Sequence, residues 1–184
     1  NTIAFTTECD PFVLTNSTQF RETFENSTAI PTCWNNEEGT ATDPWTYTSA
    51  GGNEGTHGVY LDCYYNSTNK TSILKTPVID MTQVTGATLT FYWKYGSSDS
   101  TGKIDVLIST DGGTTFATTP LLSDLRNKST YQLATVDLTS YCGAGFDRVV
   151  VGFRGTVYYN YSYDMYLDDI IVTPILPCST PTDA

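Results

Sequence analysis

Apolar and polar side chains alternate with a period of two through most of the chain, and no stretch sustains the spacing of a helix. The clearest strand spans Ala87 to Tyr95, with Leu89, Phe91, Trp93 and Tyr95 on one face and Thr88, Thr90, Tyr92 and Lys94 on the other. Lys103 to Thr110 turns Ile104, Val106 and Ile108 inward, and Val59–Tyr65, Tyr131–Leu138, Arg148–Arg154 and Met165–Val172 follow the same style. Ser72 to Asp80 contains Pro77, which cannot donate to a ladder, so it is expected as an edge or bulged strand. Short strands separated by Gly, Asn and Asp turns predict an all-β fold, a two-sheet antiparallel sandwich of the jelly-roll kind.

The ends differ from the middle. Asn1–Thr7 alternates like a strand but is cut off from the next one by Cys9–Asn16, and Pro177–Thr182 has the composition of a linker. The expected organisation is residues 1–15 as an N-terminal strand and linker, 16–175 as the sandwich, and 176–184 as a C-terminal linker. The leading strand could pair within its own domain, belong to a preceding one, or be donated to the sheet edge of a neighbouring copy.

Length and composition narrow the functional classes. With 184 residues the chain fits one domain, and 39% hydrophobic residues, including 13 Tyr, 8 Phe and 3 Trp, are enough for a core. A net charge of −11 argues against nucleic acid, which needs a basic face. No run approaches the ~20 apolar residues of a membrane helix, so no membrane insertion is expected. No signal-peptide pattern opens the chain, so any secretion signal is expected outside it.

Five cysteines lie far apart with no C-x-x-C, which argues against zinc and for disulfides in an oxidising compartment, against the alternative that all are reduced. Cys9 with Cys178 would pin the two ends, Cys33 with Cys63 is the next plausible pair, and Cys142 is left as the odd thiol. Six N-x-S/T sequons begin at Asn16, Asn26, Asn66, Asn69, Asn127 and Asn160, where chance gives roughly two to three. They suggest a secreted chain carrying N-glycans; a polar surface that makes sequons by accident is the alternative.

Catalysis finds little support. His57, the single histidine, lies in a glycine-rich turn with no nucleophile motif beside it. Ser109–Phe116 resembles an Asp-box hairpin, but it occurs once; it is expected as a tight turn in which Gly112 and Gly113 take positive φ and Asp111 caps amides. The most informative stretch is Asp164–Val172. Whichever face of this strand points inward, Asp168 or Asp169 arrives among apolar side chains. A buried carboxylate must be protonated, paired or bound to a metal. Arg21, Arg148 or Arg154 could pair with it, a different register could leave it at the rim, or a hard cation such as calcium could bind it. Glu25 is a second carboxylate, at a hydrophobic strand start, and Asp43 a third, in a polar loop before Trp45.

These residues also carry a resemblance. In order stand Phe24-Glu25, Pro31-x-x-Trp34, Trp45, Val59-Tyr60, Leu74-x-Thr76-Pro77-x-Ile79-Asp80, Leu89–Trp93, Asp105–Ser109 with Asp111-Gly112-Gly113, Val136-Asp137-Leu138 and Tyr166–Ile170. The series, from about Phe20 to Val172, resembles the MAM-like jelly rolls, especially the choice-of-anchor and cleaved-adhesin domains of bacterial surface proteins. Phe5–Cys9 is similar to the end of a fibronectin type III module, and Pro177–Thr182 to the lead-in to another. The resemblance implies an extracellular, non-catalytic adhesion or spacer module, often with structural calcium, and it carries the ligand roles onto Glu25, Asp43 and Asp168. Two positions depart from the pattern: Cys33 stands where glycine is common before the Trp, and Asn35–Thr42 lacks the dense Asp-Gly pattern of stronger calcium loops.

The expected function is therefore that of a repeating unit in a cell-surface array or fibre, with neighbouring copies or flanking modules as partners. The alternative is a carbohydrate-binding module in which Tyr64, Tyr65, Tyr158, Tyr159, Tyr161 and Tyr163 meet glycans.

Overall fold

The computed structural model describes residues 9–37, 44–64, 70–96, 102–158 and 163–176. The predicted leading strand, Cys178 and most of the C-terminal linker lie outside them, as do Asp43, Tyr65, Tyr159, Tyr161, Asn66, Asn69 and Asn160. Among the described residues the strands are, in chain order, β1 (Phe12–Val13), β2 (Phe20–Glu22), β3 (Asn35–Glu37), β4 (Thr46–Thr48), β5 (Gly58–Leu61), β6 (Lys70–Lys75) and β7 (Ile79–Asp80). They continue with β8 (Ala87–Tyr95), β9 (Lys103–Ser109), β10 (Leu122–Leu125), β11 (Lys128–Asp137), β12 (Val150–Val157) and β13 (Met165–Pro174). A 3₁₀ turn covers Thr139–Tyr141.

Two antiparallel sheets face each other, as expected. One has the order β10-β9-β12-β6-β3; the other runs β11-β8-β13-β5-β4, with β2 also paired to β13. β1 and β7 form a small parallel pair beside them. The inward rows fill the space between the sheets: Leu89, Phe91, Trp93 and Tyr95 of β8 are buried, and the Phe91 and Phe153 rings meet edge to face at 5.0 Å between the layers. Each such side chain contributes about 1.5–3 kcal/mol on leaving water. The single edge or bulged strand expected over Ser72–Asp80 is instead broken at Pro77. β6, an inner strand between β12 and β3, stops at Lys75, and β7 starts at Ile79 in the small sheet with β1. Thr76 bridges to Val151 through both its amide (2.9 Å) and its hydroxyl (3.1 Å). The strand predicted over Val59–Tyr65 ends at Leu61, where Asp62 Oδ1 accepts the Tyr64 amide and turns the chain.

The disulfide differs from expectation. Cys9 pairs with Cys33, so Cys9 is not bonded to Cys178 and Cys33 is not bonded to Cys63. The reason is burial: Cys63 is fully enclosed just after β5, its thiol donating to the Leu61 carbonyl, whereas Cys33 is exposed in the loop that the Cys9 segment reaches. Cys63 and Cys142 are free thiols. Cys33 has φ +76°, which accounts for the glycine that the resemblance puts at this position.

Candidate functional site

One edge of β13 changes neighbour part-way along. β5 pairs with Met165–Leu167 and β2 with Ile170–Val172, leaving Asp168 and Asp169 between them. The register between β13 and β8 shifts at the same place, and Asp169 takes φ +49°. This bulge changes the parity of the strand. Met165 and Leu167 are buried before it, and Ile170 and Val172 after it, so both halves keep apolar side chains in the core. Asp168 sits at the switch and is 1% exposed.

The segment between β4 and β5 covers this gap. The Asn53 amide donates to Asp168 Oδ2 (2.6 Å), the Asp169 amide to Asp168 Oδ1 (2.7 Å), and Asn53 Nδ2 to Asp169 Oδ2 (3.3 Å). Glu25 holds the other side of the same loop. Its Oε1 accepts the amides of Thr56 and His57, both at 3.0 Å, and its Oε2 lies 2.8 Å from His57 Nδ1. Phe24 precedes it with φ +58°, a conformation that costs roughly 1–2 kcal/mol for a residue with a Cβ; burial of the ring against Trp34 (5.6 Å) offsets that cost. A Cβ on Gly55 would lie 1.8 Å from Glu25 Oε1, so this carboxylate occupies the space a side chain would take.

The two carboxylates titrate in opposite directions. Burial pushes Asp168 up to about 6, against the pull of the Asn53 and Asp169 amides and with help from the charges of Asp169 and Glu25. Glu25 is held below its ordinary value, first by the His57 side chain and then by the His57 amide. Asp168 therefore has N–H donors but no cationic side chain in contact among the described residues, and its carboxylate, like that of Glu25, is of the oxygen-ligand type a hard cation takes. Glu25 and Asp168 alone are incomplete: the described residues hold no group of three or more His, Cys, Asp or Glu able to bind a metal, and calcium takes six to eight oxygens.

Other candidate residues fall elsewhere. Arg154 donates to Asp105 (2.7 Å), not to Asp168. Asp105 is fully buried, a site that alternation along β9 did not reveal. Burial raises its pKa, but Arg154, the Asp124 amide and Lys103 (3.1 Å) together outweigh burial and hold it below the ordinary value. Only the pairing of Arg154 with Asp105 across β12 and β9 could have signalled it. The Asp-box turn forms as predicted, with Gly112 at φ +75°, Gly113 at φ +83°, and Asp111 accepting from Ser109, Thr115 and the Thr115 amide. Thr56 Oγ1 and Glu25 both meet Nδ1 of His57, so the ring cannot relay a proton from one to the other as a triad does. Asn16, Asn26 and Asn127 are exposed.

The outer face of the six-stranded sheet carries a row of tyrosines. Tyr60 and Tyr166 stack at 5.9 Å, and the Lys94 ammonium lies over the Tyr166 ring (4.3 Å) and the Tyr131 ring (4.6 Å). Tyr131 donates its hydroxyl to the Gly51 carbonyl (2.6 Å), tying this row to the loop over Asp168. Tyr64, Tyr158 and Tyr163 are exposed.

No family model and no curated protein matches the sequence. Solved structures do match. The K1 cleaved adhesin domain of Lys-gingipain from Porphyromonas gingivalis W83 superposes with a TM-score of 0.66 at 22% identity, over 86% of this chain and 99% of that one. The chain has the cleaved-adhesin fold. The K3 cleaved adhesin domain of the same protein gives 0.66 at 24% identity, over 83% and 95%. A xylan-binding CBM22-2 domain from Paenibacillus barcinonensis Xyn10C gives 0.57 at 12% identity, over 85% and 99%. At these identities the likeness is one of fold, and the cleaved-adhesin architecture is shared with carbohydrate-binding sandwiches.

Proposed function

We propose that the chain is a non-catalytic extracellular module, a repeating unit of a cell-surface array or fibre, with a structural calcium ion at its loop-bearing end and N-glycans on its surface. The observation that carries this reading is Asp168, a buried carboxylate at a sheet bulge with no cationic side chain against it among the described residues. Glu25 and Asp168 would supply two ligands, Asp43 a third, and the ion would fix the loop that both described carboxylates hold. The Cys9–Cys33 bond supports an oxidising compartment, and exposure of Asn16, Asn26 and Asn127 leaves room for glycans. The adhesin-fold matches are numbered domains of one larger protein, which supports a modular setting.

Electron microscopy of native material tests the array directly: filaments or strings of beads are expected, and isolated particles would contradict it. Deleting Asn1–Thr7 should abolish assembly and leave soluble monomer if copies exchange strands; unchanged assembly would remove strand exchange. Calcium should raise the melting temperature over that in a chelator.

A second reading, carbohydrate binding, is favoured by the exposed Tyr64, Tyr158 and Tyr163 and by the xylan-binding domains that share the fold. Glycan-array screening of the monomer tests it.

A further inference from the structure

Lys94 projects from the outer face of β8 into an open pocket of about 380 Å³, which it lines with Gly96, Ser129, Tyr163, Asp164 and Tyr166. Two sides of its ammonium are closed by the Tyr131 and Tyr166 rings. It meets the faces of these rings, which attract its charge without offering a lone pair, and no oxygen among the described residues accepts from Lys94 Nζ. An ammonium has three donors, so this one meets the pocket with its donors unmet. Partial burial lowers its pKa, in keeping with lost hydration.

The other walls complete a particular chemistry. Asp164 accepts the Cys63 amide through Oδ1 (3.1 Å), and its Oδ2 lies 3.5 Å from the Tyr166 hydroxyl, which leaves lone pairs to spare. Ser129 is exposed on the rim. Both faces of Tyr166 are taken, by Tyr60 and by Lys94, so Tyr166 offers no stacking surface. Tyr163 is 65% exposed and does. One open aromatic face, one donor cluster and one acceptor within a single cleft match a sugar ring with neighbouring hydroxyls. The carboxylate in the wall and the net charge of −11 disfavour an acidic sugar.

We infer that this pocket binds a neutral saccharide, with the ring against Tyr163 and its hydroxyls shared between Lys94 and Asp164. The inference rests on the carbohydrate-binding reading and is independent of calcium. It is tested by calorimetry of the full chain with xylohexaose, cellohexaose, mannohexaose and hexagalacturonate. At least one neutral oligosaccharide should bind, weakening about tenfold or more in Lys94→Met and in Tyr163→Ala, with less than about twofold change in Val13→Ala, an exposed position outside the pocket. Ser129→Trp, a change at an exposed position that fills the cleft, should block binding even if Lys94→Met fails to fold. Binding that survives the pocket variants would overturn the pocket and leave the carbohydrate reading standing. Preference for hexagalacturonate would overturn the neutral assignment. No binding of any of the four by the unmodified chain would overturn the pocket, and a blank glycan array as well would remove the broader reading.

Discussion

The backbone amide of Asn53 lies 2.6 Å from Asp168 Oδ2, joining residues 115 positions apart. That contact closes the gap between β5 and β2 along β13, and it makes the bulge and the overlying loop one unit. What happens to the charge of Asp168 should therefore be felt by the loop.

The pH dependence follows from the sign of the shift. Asp168 has a folded pKa of about 6, above the roughly 3.9 of an unfolded Asp, so the folded state binds its proton more tightly. Without metal, its contribution to stability is most favourable below about pH 4 and is lost as pH rises through about 6, a change of order 2–3 kcal/mol. A bound cation favours the ionised form, so calcium should stabilise more at pH 7 than at pH 5. The check is the difference in melting temperature between the unmodified chain and Asp168→Asn, in chelator and in calcium, across that range. An equal calcium effect in both proteins contradicts the assignment.

Two glycines in the loop should separate backbone from side-chain effects. A Cβ on Gly52 would lie 2.1 Å from the His57 carbonyl, part of the rigid backbone, so Gly52→Ala should cost more than about 2 kcal/mol. At Gly55 the clash is with the mobile end of Glu25, so Gly55→Ala should cost only about 1 kcal/mol while displacing the carboxylate from Thr56 and His57. Urea denaturation with and without calcium measures both: Gly55→Ala should lose the larger share of the calcium response relative to its stability loss.

Cysteine chemistry gives an independent check. Peptide mapping should recover Cys9 linked to Cys33. Iodoacetamide should label the partly exposed Cys142 and spare Cys63, whose thiol is pushed up by burial. Reduction should destabilise the chain by about 3 kcal/mol, the order given by closing a loop of this length.

Asp105 should behave oppositely to Asp168 with pH. Its folded pKa is depressed, so its stabilisation is complete above about pH 4, the unfolded value, and is lost as pH falls through the lower folded one. Asp105→Ala leaves Arg154 without its partner and should cost about 3 kcal/mol; Asp105→Leu combined with Arg154→Met should recover part of that. Chemical denaturation of the single and double variants measures the coupling.

Much of the fold was legible because β8 alternates buried apolar or aromatic side chains with the half-buried Thr88, Thr90, Tyr92 and Lys94 without a break, and its ends at Ala87 and Tyr95 fall where predicted. The turn at Asp111-Gly112-Gly113 was legible because its cause is local. The carboxylate problem at Asp168 was visible too, but the bulge that resolves it was not inferred. Its signal was present: buried positions change from odd (Met165, Leu167) to even (Ile170, Val172), which one regular strand cannot do. Asp105 was missed because its burial depends on Arg154, Lys103 and the Asp124 amide arriving from other parts of the chain. The disulfide was missed for the same reason, since spacing along the chain does not tell that Cys63 is enclosed and Cys33 is at the surface.

The bond between Cys9 and Cys33 has a mechanical corollary. Tension applied upstream of Cys9 crosses through sulfur to Cys33 and enters β3 and its ladder with β6, so the intervening loop, with β1 and β2 inside it, hangs slack. β2 thus cannot be peeled from β13 by traction from that side while the sulfurs stay joined, and the wall beside Asp168 is shielded from the force that linked copies would transmit.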